Sequence, residues 1–287
     1  MTARRAEAAG FDALVVADHP GVGASPFVAL AAAATVTDKV RLGTYVLNAG
    51  VRDPLQIASD VATLDVLSNG RALLGLGAGH TPAEWTMTGR EYPTPARRVA
   101  RLVDTVLVVQ GLLAGDTVTV AGDAVRTDSA ALTAPRVVQS RVPLLVGGSN
   151  RALLRFAAQA ADIVGVSGLG RTLADGHRHE VRWTEAEVDA TIHIVHEAAR
   201  RRTTPLHIDA LVQHVEITDD RDAAAARVAE LAPGVDATSV LACPFVLIGT
   251  VAQMVDEVHA HRARWGIDRF TVRADALDAI AAVIARL

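Results

Sequence analysis

Four short stretches of the sequence bring together residues whose chemistry is usable at neutral pH. The apolar run Ala13–Ala17 is followed at once by Asp18-His19-Pro20. A carboxylate beside an imidazole at a strand end offers a fixed charge and a group that takes or gives a proton near pH 7. Thr44-Tyr45-Val46-Leu47-Asn48 closes a second apolar run with a carboxamide that can bond the polar edge of a ring. Gly75-Leu76-Gly77-Ala78-Gly79-His80 closes a third, and glycines there let a flat ligand approach the backbone. It is not a dinucleotide fingerprint, because its third glycine comes too early and no acidic residue follows at the ribose spacing. Val146-Gly147-Gly148-Ser149-Asn150-Arg151 leads from a strand into a helix. Free amides at a helix start suit an anion, and Ser149 or Asn150 suits the cap. Each stretch alone is equally a polar turn. Taken together they suit a phosphorylated ring cofactor.

Other chemistries fit less well. His177-Arg178-His179 looks like a metal pair but sits in a polar loop after Gly176, and His193, His196 and Glu197 lie on an amphipathic helix. No carboxylate is spaced to complete either set, so no metal is expected. There is no G-x-S-x-G elbow for a serine nucleophile. Lys39 is the only lysine and stands in the polar turn Thr37-Asp38-Lys39, which removes Schiff-base chemistry. Cys243 is the only cysteine, so neither a disulfide framework nor a cysteine-rich zinc module is possible.

The elements that must carry these residues alternate between short apolar runs and amphipathic stretches, the pattern of parallel βα units. Strands are expected to start near residues 13, 40, 72, 143, 162, 206 and 270, with helices over 2–10, 26–36, 54–67, 96–114, 150–160, 184–201, 220–231, 250–265 and from about 275. Residues 116–126 read as a hairpin around Ala121-Gly122-Asp123, outside the repeat, and 206–217 reads as one long strand. The cadence favours a (β/α)8 barrel over a doubly wound sheet, with one domain spanning 1–287 and insertions at about 80–95, 115–140 and 168–183. With 287 residues, half of them hydrophobic, the chain can bury a core of that size. A net charge of −4 leaves no basic footprint for nucleic acid. No apolar window is long enough to span a bilayer and no secretory leader is visible, so a cytoplasmic, soluble protein is expected.

In this order, the strand-end residues resemble the luciferase-like oxidoreductase superfamily of flavin- and deazaflavin-dependent barrels. The matching stretches are Ala6–His19, Arg41–Asn48 with Pro54, Ala62–Arg71, Leu74–Gly79, Pro143–Asn150, Ala160–Gly165 and Pro244–Thr250, nearly the whole chain. Within the superfamily the sequence is most similar to oxidoreductases using coenzyme F420, the 5-deazaflavin, with flavin mononucleotide (FMN) as the alternative cofactor. The resemblance implies that Asp18 and His19 lie beside the ring, with His19 near the hydride-transfer face. It implies a non-prolyl cis peptide at Tyr45–Val46, Asn48 at the ring's polar edge and Gly77 along the ring. Gly147, Gly148, Ser149 and Asn150 would meet the cofactor phosphate.

His80 stands where sugar-phosphate dehydrogenases of the family carry a glutamate proton donor. It therefore joins His19 as a catalytic candidate and disfavours a sugar phosphate. Glu84 and Trp85 are the substrate wall by analogy. The implied protein is a homodimer acting on a small organic substrate. Family members begin with a strand before the first helix, and here Met1 falls inside that helix, so the first barrel strand is expected to be missing. An FMN-dependent monooxygenase, and an inactive cofactor-binding protein lacking that strand, are the alternatives.

Overall fold

The computed structural model describes residues 2–173 and 179–287. Its packing groups them into two compact units, one of residues 3–7 and 12–147 and the other of residues 2, 8–11 and 148–287.

The chain opens on α1 (Thr2–Ala8), followed by β1 (Ala13–Val16), α2 (Pro26–Ala34), β2 (Arg41–Thr44), β3 (Leu47–Asn48), α3 (Pro54–Leu67) and β4 (Ala72–Gly77). Then come α4 (Pro82–Met87), α5 (Pro95–Ala114), the hairpin β5 (Val118–Ala121) and β6 (Arg126–Ala130), and β7 (Leu144–Gly147). In the first unit β1, β2, β4 and β7 lie side by side and parallel, with β3 also on β4. The strand expected to start near residue 40 is thus two, broken at Tyr45–Val46, whose peptide is cis.

Local chemistry sets the boundaries. Asp53 caps α3 by accepting from Leu55 N at 2.9 Å, and Pro54 stands at the first helical position, where its missing N–H costs nothing. Asn69 and Gly70 end that helix with φ of 54° and 80°. Buried polar groups then tie elements together. Asp65 is fully buried on α3 and accepts from Ala72 N, Val138 N, Gln139 N and Gln139 Nε2. Glu7 accepts from the amides of Asp38, Lys39 and Val40, which hold its carboxyl below the usual range.

The second unit contains α6 (Arg151–Ala160), β8 (Ile163–Val166), the hairpin β9 (Leu169–Thr172) and β10 (His179–Val181), α7 (Glu185–Ala199), β11 (His207–Leu211) and β12 (His214–Ile217). It continues with α8 (Arg221–Leu231), α9 (Ala237–Ala242), β13 (Val246–Gly249), α10 (Val251–Trp265), β14 (Ile267–Thr271) and α11 (Leu277–Ile284). β11 lies between β8 and β14, all parallel, and β12 pairs in parallel with β13.

Two expectations need correction here. The run 206–217 is two strands, because Val212 N donates to Thr271 O at 2.8 Å whereas Gln213 N donates to Phe245 O at 2.7 Å. The backbone changes partners between those two residues. The last strand also starts at Ile267 rather than Phe270, since Gly266 (φ 69°) ends α10 one residue earlier.

Candidate functional site

Asp18 lies two residues beyond β1 and is 3% exposed. Arg52, just before α3, grips it with Nε on Oδ2 at 2.6 Å and Nη2 on Oδ1 at 2.7 Å. The two-point, charge-assisted contact is strong and directional, and it raises the Arg52 guanidinium above its usual range. Asn48 N donates to the same Oδ2 at 3.2 Å. Both Asp18 oxygens are therefore spent on protein donors, fixing the end of β1 to the end of β3.

His19 follows, with its side chain 46% exposed. Its Nδ1 lies 2.8 Å from Glu84 Oε1. Asn48 Nδ2 donates to the other oxygen, Glu84 Oε2, at 2.6 Å, while Asn48 Oδ1 accepts from Gly50 N at 2.8 Å. Asn48 and Glu84 are each 4% exposed. His80 approaches His19 edge to face, with ring centroids 6.3 Å apart at 84°.

The segment expected to carry the substrate wall is folded, and its two candidates, Glu84 and Trp85, are buried. α4 carries Glu84 into the network just described. Trp85 is 2% exposed and packs under Gly50, where a Cβ would come within 1.9 Å of Trp85 Cζ2. Tyr92 meets Trp85 edge to face at 6.1 Å, its hydroxyl donates to His80 O at 2.9 Å, and Arg98 lies 4.3 Å over its ring. Glu84 and Trp85 thus face protein groups, because α4 turns this polar-looking stretch toward residues 48–50.

Glycine is sterically required at three positions in and just after β4. A Cβ on Gly75 would stand 2.0 Å from Thr44 O, one on Gly77 2.6 Å from Val46 Cγ2, and one on Gly79 2.0 Å from Asn48 Oδ1. Those spaces are filled by residues 44–48 of the chain itself, and only glycine permits that close approach. The peptide implied to be cis, Tyr45–Val46, is cis. Gly147 ends β7 in register with Gly77.

Three arginines that sequence reasoning did not single out shape the same region. Arg52 is the partner of Asp18. Arg101 on α5 donates from Nε to Ala49 O at 2.9 Å and also bonds Ala124 O and Arg52 O. Burial, with Arg90 nearby, lowers its guanidinium from the usual value. Arg90 donates to Val51 O at 3.2 Å. Arg101 reaches carbonyls 52 and 49 residues back in the sequence and one 23 residues on, contacts that only the fold brings together.

In the second unit, Gly148, Ser149 and Asn150 lead into α6. Asn150 caps that helix, its Oδ1 accepting from Ala152 N at 2.8 Å and Leu153 N at 3.3 Å. Gly148 and Ser149 line a cavity of about 20 Å³ together with Ser167, Arg182 and Thr191. The hydroxyls and the guanidinium form a donor set for an anion. His177 lies outside the described residues, and His193 and His196 are exposed on α7. Among the described residues no group of three His, Cys, Asp or Glu is placed to hold a metal ion. No helix among them is long and apolar enough to cross a membrane.

This site and this alternation of strands and helices define a class, and the chain belongs to the luciferase-like monooxygenase family, whose model matches residues 1–240. F420-dependent glucose-6-phosphate dehydrogenase of Amycolatopsis mediterranei (strain U-32) is 32% identical over 179 residues, covering 59% of this chain and 53% of that protein. The 5,10-methylenetetrahydromethanopterin reductase of Methanopyrus kandleri is 30% identical over 170 residues, 55% of this chain and 48% of that one. The chain spans about half the length of the curated relatives it matches.

Among solved structures, the coenzyme F420 dependent tetrahydromethanopterin reductase from Methanopyrus kandleri superposes with a TM-score of 0.78 at 21% identity, over 99% of this chain and 94% of that one. A long-chain alkane monooxygenase gives 0.76 at 15% identity, over 99% and 82%. At these identities the likeness speaks for the fold, which is that of the luciferase-like α/β barrel enzymes.

Proposed function

We propose that this chain is a coenzyme F420-dependent oxidoreductase that moves a hydride between the deazaflavin and a small organic substrate. The observation that carries the reading is the half-exposed His19 at the end of β1, braced by Glu84 and standing beside the locked Asp18–Arg52 pair. The family and the relatives named as F420-dependent support it. The residues present fit the group. Within the second unit, Ser149 and Arg182 line the cavity before α6 and offer donors suited to a phosphate. His19 and His80 are the exposed ring-bearing side chains beside the network. When bound, F420 supplies a two-electron carrier that exchanges a hydride, and the protein contributes orientation and proton handling.

The chain's own residues divide that work. Asp18 and Arg52 fix the backbone that presents His19. Asn48 and Gly147 belong to the strand ends along the ring, and the Tyr45–Val46 segment packs on Gly77 behind them. His19 gives or takes the proton that accompanies hydride transfer at the substrate, with His80 as the second candidate. A small molecule, rather than nucleic acid, suits a chain of net charge −4. The proposal includes a cytoplasmic homodimer whose protomer is one domain with the insertions given above. The FMN alternative draws on likeness to the oxygenating constituent of 3,6-diketocamphane monooxygenase in complex with FMN, with a TM-score of 0.72 at 16% identity.

The test is His19→Ala assayed with reduced F420 and a panel of carbonyl and enone acceptors. Turnover is expected to fall about 10²–10⁴-fold, the usual worth of a positioned acid or base, with cofactor affinity nearly unchanged. Equal turnover would remove His19 from the mechanism.

A further inference from the structure

Glu84 stands where it can set the orientation of His19. We infer that Glu84 is the positioning residue of the site, holding His19 as its Nδ1–H tautomer and tying that ring to Asn48. The inference rests on the proposed function only for what His19 does next; the geometry holds whichever cofactor binds.

Both oxygens of Glu84 face donors. Asn48 cannot present its oxygen to Glu84, because that oxygen already accepts from Gly50 N at 2.8 Å, so it is Nδ2 that donates to Oε2 at 2.6 Å. The remaining oxygen, Oε1, faces His19 Nδ1 at 2.8 Å. An ionised carboxylate has acceptors only, so the imidazole nitrogen opposite it must carry the hydrogen. Nε2 is then the nitrogen that exchanges a proton in the neutral ring. Burial keeps water from competing for Glu84, whose side chain is 5% exposed.

The carboxylate is also held rigidly. The neighbouring Trp85 is wedged against Gly50, so α4 has little room to shift. Thr88 Oγ1 donates back to Glu84 O at 3.0 Å, closing the turn behind it. A carboxylate behind an imidazole is a general way to fix a tautomer and a ring angle. Here the carboxylate comes 65 residues after its histidine. Asp18, the acidic residue next to His19 in sequence, is taken by Arg52 and does not fill the role.

The experiment is long-range ¹H–¹⁵N NMR of the ¹⁵N-histidine-labelled chain without cofactor, at a pH where the imidazoles are neutral. The spectrum of His19→Gln identifies the His19 signals among the ten histidines. The expected result is a single Nδ1–H tautomer for His19. Glu84→Ala should convert that signal to Nε2–H or to a mixture, with the far-ultraviolet circular dichroism unchanged. An Nε2–H ring in the parent, or an Nδ1–H ring surviving in Glu84→Ala, overturns the inference. Should Glu84→Ala fail to fold, the parent spectrum alone decides. Failure of the cofactor reading would appear separately, as absent F420 binding, and would leave the tautomer result standing.

Discussion

Arg52 holds Asp18 by two parallel contacts of 2.6 and 2.7 Å, with the Asp18 side chain 1% exposed and the Arg52 side chain 26%. The pair joins the end of β1 to the segment just before α3, and it leaves His19, one residue on, facing Glu84. Removing the guanidinium would leave a buried carboxylate with only the Asn48 amide. Arg52→Met should therefore lose about 3–5 kcal/mol, the usual cost of breaking one side of a buried pair. Arg52→Lys should lose less but not recover the parent, since an ammonium cannot make the two-point contact. Urea unfolding of the three proteins checks both.

Asp65 is the corresponding anchor on the far side of α3. It is fully buried and accepts from four donors, three of them the backbone amides of Ala72, Val138 and Gln139. Asp65→Ala should cost about 3–5 kcal/mol, because several buried donors lose a charged acceptor worth about 1.5–3 kcal/mol each and only some find water. A midpoint shift in urea at constant slope would show it. A loss below 1 kcal/mol would contradict the account.

Gly79 sits at φ 73° with its would-be Cβ 2.0 Å from Asn48 Oδ1. Gly79→Ala should destabilise by at least about 1–3 kcal/mol, the cost of overpacking, with backbone strain added. It should also displace Asn48 and so weaken the hold on Glu84. A crystal structure of the variant with Asn48 in place would count against this.

His261 on α10 is 5% exposed, stacked 5.2 Å from Trp265, and its Nε2 has no hydrogen-bond partner among the described residues. Burial, with Arg264 and Arg221 adding like charge, lowers its pKa from 6.5 to about 4. The folded value is depressed, so between pH 6.5 and about 4 only the unfolded chain takes up the proton. The stability of a neutral His261 is complete above pH 6.5 and drains as the pH falls toward 4, by up to about 3 kcal/mol. His261→Phe should flatten that part of the profile. Equal pH slopes for the two proteins in urea unfolding would rule it out.

Much of this was legible in the residues, and what was not has a physical reason. Helix α3 was expected at 54–67 and is observed there, because Asp53, Pro54 and Asn69-Gly70 are local signals. The strands at 13, 72, 144 and 163 were plain from short apolar runs. β13, within the family-like stretch Pro244–Thr250, gives no strand signal of its own, since three apolar residues and a glycine look alike in strand, helix or loop. The break at Val212–Gln213 depends on which strand lies alongside, which a single run cannot reveal. Asp18, His19 and Asn48 stood out by their place at strand ends. Their partners did not. Arg52 and Glu84 meet them only through the fold, 34 and 65 residues away from Asp18 and His19.

The most direct test of the central claim is an equilibrium titration of the purified chain with F420 and, separately, with FMN. The account predicts saturable binding of F420, at one equivalent per chain and at least tenfold tighter than FMN, a difference of about 1.4 kcal/mol. Tighter binding of FMN, or binding of neither cofactor, would contradict it.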